Sequence, residues 1–167
     1  HDLVETAEAV NPTCFSVGWT AGYKCSRCDY EVRQEEVAKI AHTTKPTVTK
    51  ATTSADGKIV NKCTVCSKTV STTVIPKASS VKLSATSYTY NGKVKTPSVT
   101  VKDRTGKTLV KNTDYTVSYA KGRKYVGKYA VKVTFKGNYS GTKTLYFTIK
   151  PKATSISSLS AGSKNLL

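Results

Sequence analysis

The sequence predicts a mainly β protein in which small Cys/His hairpin units lead into an antiparallel β-sandwich. Three observations carry this prediction. All five cysteines, Cys14, Cys25, Cys28, Cys63 and Cys66, fall in the first half. From Ser80 onward, apolar and polar residues alternate with period two, and turn residues recur every eight to twelve positions, the pattern of a sandwich or barrel. Charge changes at the same place: residues 1–79 carry ten Lys/Arg against eight Asp/Glu, whereas residues 80–167 carry seventeen against only Asp103 and Asp114. At 167 residues the chain has room for one ordinary domain or two small ones.

The first half contains a degenerate repeat. Cys25-Ser26-Arg27-Cys28 recurs 38 positions later as Cys63-Thr64-Val65-Cys66. Each pair follows a Gly-containing approach, Gly22-Tyr23-Lys24 and Gly57 to Lys62, and precedes a β-prone run, Tyr30-Glu31-Val32 and Thr69 to Ile75. Each copy opens with a histidine, His1 or His42, and Thr52 stands at the position matching Cys14. Two units are expected, 1–41 and 42–78, each a hairpin with Cys-x-x-Cys at its turn. Such a unit has too little apolar surface to fold without a cross-link or metal. Glu35 to Ile40 reads as one helical turn.

In the second half the strands follow in order. Val81 and Leu83 alternate with Lys82 and Ser84. Tyr88 and Tyr90 share a face, and Asn91-Gly92 supplies a tight hairpin turn. Val99 and Val101 alternate with Thr100 and Lys102 before a turn at Thr105-Gly106. Tyr115, Val117 and Tyr119 face inward. The longest strand points Tyr129, Val131, Val133 and Phe135 inward and Lys128, Ala130, Lys132, Thr134 and Lys136 outward. Leu145, Phe147 and Ile149 close the core, and a slip of one residue would expose the whole set. The sandwich is placed at 79–151, with 152–167 a linker or the start of a following module.

The run Ser87-Tyr88-Thr89-Tyr90-Asn91-Gly92-Lys93, with Thr96 to Val101, Thr113-Asp114-Tyr115-Thr116-Val117 and Gly137-Asn138-Tyr139-Ser140-Gly141-Thr142, resembles repeat modules of large surface proteins of Gram-positive gut bacteria. The resemblance covers roughly residues 78–150 and implies an immunoglobulin-like fold, often followed by a fibronectin type III-like domain. His1, Pro12-Thr13-Cys14, Cys25, Cys28 and His42 are similar to short Cys-rich repeats that precede such modules; Thr52 departs from that pattern. The resemblance implies an extracellular, cell-surface adhesin or stalk. There is no Met and no signal-peptide pattern at His1, and both ends read as cut from a longer secreted protein.

The cysteines admit three arrangements. Cys14, Cys25 and Cys28 with His42 (or His1) make a tetrahedral zinc site; Cys25, Cys28, Cys63 and Cys66 make one zinc ribbon; or some pairs are oxidised, as an extracellular location allows. The repeat favours the first, in which each Cys-x-x-Cys belongs to its own unit. Four protein ligands leave no open position, so the zinc would be structural.

Catalysis is not expected. Both histidines lie among the cysteines, Asp103 and Asp114 sit beside apparent turns, and no phosphate loop, nucleophile elbow or carboxylate pair is visible. Trp19 and Tyr23 flank the first knuckle, as core in preference to a sugar-stacking platform. Most of the ten tyrosines read as core, with Tyr146 facing solvent.

Outward Lys128, Lys132 and Lys136 stand about 13–14 Å apart in succession on one strand, and Lys121, Arg123 and Lys124 cluster in the preceding turn. With Tyr146 they form the candidate ligand-binding face. The expected partners are a host glycan or host protein, with a stalk role or attraction to an anionic cell-wall polymer as alternatives. Specific nucleic-acid binding is disfavoured, because the basic half has Arg104 and Arg123 against fifteen lysines and no recognition helix. No stretch approaches the ~20 apolar residues of a membrane span.

Overall fold

The computed structural model describes residues 1–153, and every regular element in it is a strand. The linker or following module expected at 152–167 lies outside the described residues, apart from Lys152 and Ala153. The chain divides into two compact units. His1–Thr49 and Lys58–Ile75 form a cysteine module, and Lys50–Gly57 joins the described residues from Pro76 to Ala153 in a second module. No helix among the described residues is long and apolar enough to cross a membrane.

The cysteine module holds two three-stranded sheets of the same topology. In the first, β1 (Leu3–Ala7) pairs antiparallel with β3 (Gly22–Cys25), and β3 with β4 (Glu31–Val32). In the second, β6 (Thr44–Thr49) pairs antiparallel with β7 (Gly57–Cys63), which neighbours β8 (Thr69–Ile75). A ribbon of β2 (Gly18–Trp19) and β5 (Glu36–Val37) closes the long loop after β1. The helical turn expected at Glu35 to Ile40 is not formed; Glu36–Val37 is a strand instead. Thr20 takes both backbone groups of Glu35, its N–H donating to the Glu35 carbonyl at 2.9 Å and its hydroxyl accepting the Glu35 N–H at 2.8 Å. A single helical turn cannot compete with paired bonds, because helix nucleation fixes several residues for one hydrogen bond.

In the second module, β9 (Ser80–Leu83) pairs antiparallel with β11 (Val99–Lys102). A four-stranded sheet runs in the order β10 (Ser87–Thr89), β14 (Thr142–Lys150), β13 (Gly127–Phe135), β12 (Tyr115–Tyr119). The two sheets share a core in which Val131, Phe147 and Ile149 meet Leu83 and Val99 from the smaller sheet, with Tyr88, Val117, Tyr119 and Tyr129 around them. The alternation expected along β13 is observed, with Val131, Val133 and Phe135 buried and Lys128, Lys132 and Thr134 exposed.

Between the named strands of this module pairing is antiparallel except at β10, which runs parallel to β14, with Tyr88 opposite Ile149. Asn91-Gly92 consequently closes no hairpin. The backbone bonds of this segment go to β14, continuing with the Tyr90 N–H on the Lys150 carbonyl at 2.8 Å. Gly92 keeps its positive φ of 73°, and the Asn91 carboxamide oxygen accepts from the Lys93 N–H and the Lys95 ammonium. Tyr30, Tyr90 and Tyr125 join Tyr146 as exposed tyrosines, so fewer of the ten are core than the alternation suggests.

Asp103 is the one buried charged residue described. Burial pushes its carboxyl up, but the Thr105 hydroxyl at 2.6 Å and the N–H groups of Thr105 and Lys107 at 2.8 and 3.1 Å outweigh it, and the net shift is downward. A carboxyl whose folded pKa is depressed stabilises the fold above its unfolded value and loses that contribution as pH falls through the folded value. Asp103→Ala leaves these donors unpaired and should cost about 1–3 kcal/mol at neutral pH. Denaturant melts of both proteins between neutral and acid pH check this, and the gap between them should narrow as the wild-type carboxyl protonates.

Candidate metal centre

Both Cys-x-x-Cys knuckles sit at hairpin tips. Between β3 and β4 the Cys25 N–H donates to the Tyr30 carbonyl, and between β7 and β8 the Cys63 N–H donates to the Lys68 carbonyl, each at 2.8 Å. Ser67, with a φ of 60°, turns the second tip. The histidines enter in the same register. Leu3, two residues after His1, pairs with Cys25, and Thr44, two residues after His42, pairs with Cys63. Ser26 donates to the Asp2 carbonyl and Thr64 to the Thr43 carbonyl, both at 2.9 Å. The outcome is also the same: Nδ1 of His1 lies 3.2 Å from Cys28 Sγ, and Nδ1 of His42 lies 3.5 Å from Cys66 Sγ.

Cys14 is where the expected ligand set changes. It does not join Cys25 and Cys28 of its own repeat. It lies buried 3.6 Å from Cys63 Sγ, and Cys14, His42, Cys63 and Cys66 converge with all four ligand atoms within 4.8 Å of one another. His1, Cys25 and Cys28 form a separate three-donor cluster with the same closeness. Neither the set Cys14–Cys25–Cys28–His42 nor a ribbon of the four knuckle cysteines is assembled. The long loop 8–21 carries Cys14 away from its own knuckle toward the next. Gly18 passes so close beneath that loop that a Cβ there would lie 2.5 Å from the Pro12 nitrogen and the Val10 carbonyl oxygen. The Thr13 hydroxyl caps the turn by accepting the Ser16 N–H at 2.9 Å, and the Thr13 carbonyl accepts the Ile40 N–H at 3.1 Å, just ahead of His42.

Two contacts of the four-donor cluster come close to the spacing of a tetrahedral ion. Thiolate and imidazole bonds of ~2.3 and ~2.05 Å place neighbouring sulfurs about 3.8 Å apart, and sulfur and nitrogen about 3.6 Å apart. The observed contacts are 3.6 and 3.5 Å. All five cysteines are free. Backbone N–H groups of Cys66 and Val65, with smaller help from His42, outweigh burial and bring the Cys63 thiol down to about 6. Burial, and then the sulfurs of Cys63 and Cys66, push Cys14 up to about 11; a divalent cation at the centre reverses that penalty. Lys39 and Lys68 line the cleft over this cluster. At the other cluster, hydrogen bonds from Cys28 and then Arg27 lower the Cys25 thiol, and the His1 ring stacks on Tyr30 at 4.6 Å. Either cluster can hold a metal ion.

The remaining candidates lie elsewhere. Trp19 is 39 % exposed, because a two-stranded ribbon cannot enclose an indole, and Tyr23 is half-buried on β3. In the second module, Lys128, Lys132 and Lys136 are exposed, and the Lys128 ammonium stands 4.6 Å over the Tyr146 ring. Lys121 and Lys124 are exposed in the preceding turn. Arg123 departs from that cluster: it is half-buried, its guanidinium donates to the Ala120 carbonyl and lies 5.1 Å over the Tyr119 ring. Compared with known proteins, the chain matches no family model, no curated sequence and no solved structure.

Proposed function

We propose that this chain is a non-catalytic binding module of a secreted Gram-positive surface protein. In this reading a zinc-holding Cys/His module precedes an immunoglobulin-like sandwich that engages anionic polymers, cell-wall polymer or sulfated host glycan, through the outer face of β13 and β14. The observation that carries it is the exposed row Lys128, Lys132 and Lys136 beside Tyr146, with no lysine in any salt bridge among the described residues. The non-catalytic part is supported by the chemistry of the candidate groups. Both histidines stand against cysteine sulfurs, and the Asp103 and Asp114 carboxylates accept backbone N–H groups in turns. Zinc is favoured at the Cys3His cluster because thiolates with one imidazole in tetrahedral array suit it, and four protein donors make the site structural.

Unpaired lysines attract polyanions by displacing counterions, so binding is salt-dependent and weak in sequence preference. Replacing Lys128, Lys132 and Lys136 with Ser should leave the fold intact and elute the protein from a heparin or teichoic-acid column at lower salt. Unchanged elution would show that the charge is diffuse and would leave the face without a binding role. A stalk role is the second reading, favoured by Cys14, which ties one repeat to the next as a spacer requires.

A further inference from the structure

The two clusters differ by one donor, and the difference has a direction. His1, Cys25 and Cys28 stand in the same register and make the same histidine–cysteine contact as His42, Cys63 and Cys66. The second set is completed by a cysteine sulfur that belongs to the other repeat, Cys14, on the loop joining the first two strands of that repeat. The corresponding loop of the second repeat, Lys50–Gly57, also leaves its own repeat. It belongs to the second module, where the Ala51 N–H donates to the Asn138 carbonyl and Asp56 pairs with Arg104 at 2.9 Å. In both repeats this loop is committed forward along the chain. That also accounts for Thr52 at the position matching Cys14: a loop that joins a β-sheet module has no metal to ligate.

From this geometry we infer that His1, Cys25 and Cys28 form a second metal site, completed by a thiolate carried on a Pro-Thr-Cys loop of another repeat of this kind. The fourth position is accessible, since His1 and Cys28 are exposed and only Cys25 is buried. Water is the competing fourth ligand, but the shared frame favours the donor that the equivalent site uses. Asp2, the carboxylate next to the histidine, is already engaged by Arg27 at 3.0 Å. The site would thus act as a coordination joint between successive repeats. The inference rests on the proposed metal site at Cys14, His42, Cys63 and Cys66.

Anaerobic titration of the full chain with Co2+ tests both. Two equivalents are expected, the first with the charge-transfer absorption of three thiolates and the second, weaker-binding, with that of two. A synthetic peptide of residues 10–16, containing Pro12-Thr13-Cys14, is then added. The charge-transfer intensity of the second equivalent should rise by about half as a third thiolate enters. The same peptide with Ser for Cys should do nothing. A second equivalent that ignores the cysteine peptide, or responds equally to both peptides, overturns the inference while leaving the first site standing, and so does a single equivalent. Binding of no Co2+ at all overturns the proposed metal site as well.

Discussion

With metal bound at the proposed sites, chelation should unfold the cysteine module and leave the second module folded. The expectation follows from what each module buries. In the cysteine module the buried apolar residues are Cys14, Cys25, Cys63 and Ile75, so its interior is largely sulfur. Every residue of β6 is exposed, as is all of β8 except Ile75. A sheet that wets both faces gains little from the hydrophobic effect, at ~25 cal/mol per Å2 of apolar area removed from water. Structural zinc in small domains contributes an apparent ~10–16 kcal/mol at neutral pH, enough to decide whether such a sheet exists. The second module instead buries Val101, Leu109, Tyr115, Val131, Val133, Phe135, Phe147 and Ile149. A two-dimensional amide NMR spectrum before and after a strong chelator separates the two. Resonances of residues 1–49 and 58–75 should collapse to unfolded positions, while those of residues 76–150 persist. Retention of the full dispersed spectrum under reducing conditions would mean that the sulfurs hold the module without a metal.

The sequence made the secondary structure legible where the signal was local. The period-two runs of β12, β13 and β14 carry their own register, because one slip exposes the whole apolar set. The Cys-x-x-Cys knuckles likewise announce hairpin tips, since the spacing and the flanking β-prone residues lie within about ten positions. What stayed illegible was any partner chosen at a distance. Tyr88 and Tyr90 with Asn91-Gly92 look like one arm of a hairpin, yet the bonds of β10 go to β14, some sixty residues on. Cys14 groups with Cys25 and Cys28 by proximity in sequence, but in space it joins the donor cluster of the next repeat. The determinant is the path of loop 8–21, and a signal for it was present in Gly18, whose significance depends on the backbone crossing it. Trp19 misled for a related reason: a lone indole suggests a core, but its ribbon is two residues long.

Gly18→Ala should weaken metal binding at Cys14, His42, Cys63 and Cys66 without touching a ligand. Gly18 is buried in β2, and its N–H-bearing neighbour Trp19 exchanges both backbone bonds with Val10 at 2.8 Å, which pulls the Val10–Pro12 segment across the glycine. A methyl group there would meet the Pro12 nitrogen and the Val10 oxygen at 2.5 Å and the Pro12 Cδ at 2.6 Å. Two of those atoms are backbone and the third belongs to a closed ring, so no rotamer change relieves the overlap; the loop must move. Thr13 and Cys14 follow directly, and a tetrahedral site tolerates ligand displacements of only ~0.2 Å. Changes in the groups that orient metal ligands typically cost roughly 10–100-fold in affinity, and that is the loss expected here. Competition with a chromophoric chelator measures it. His1, Cys25 and Cys28 lie on β3, its hairpin and the segment before β1, so their metal should be retained with unchanged affinity. Equal weakening at both clusters would point to general destabilisation of the module, and unchanged affinity at the four-donor cluster would show that the Cys14 loop is held by something other than the Gly18 crossing.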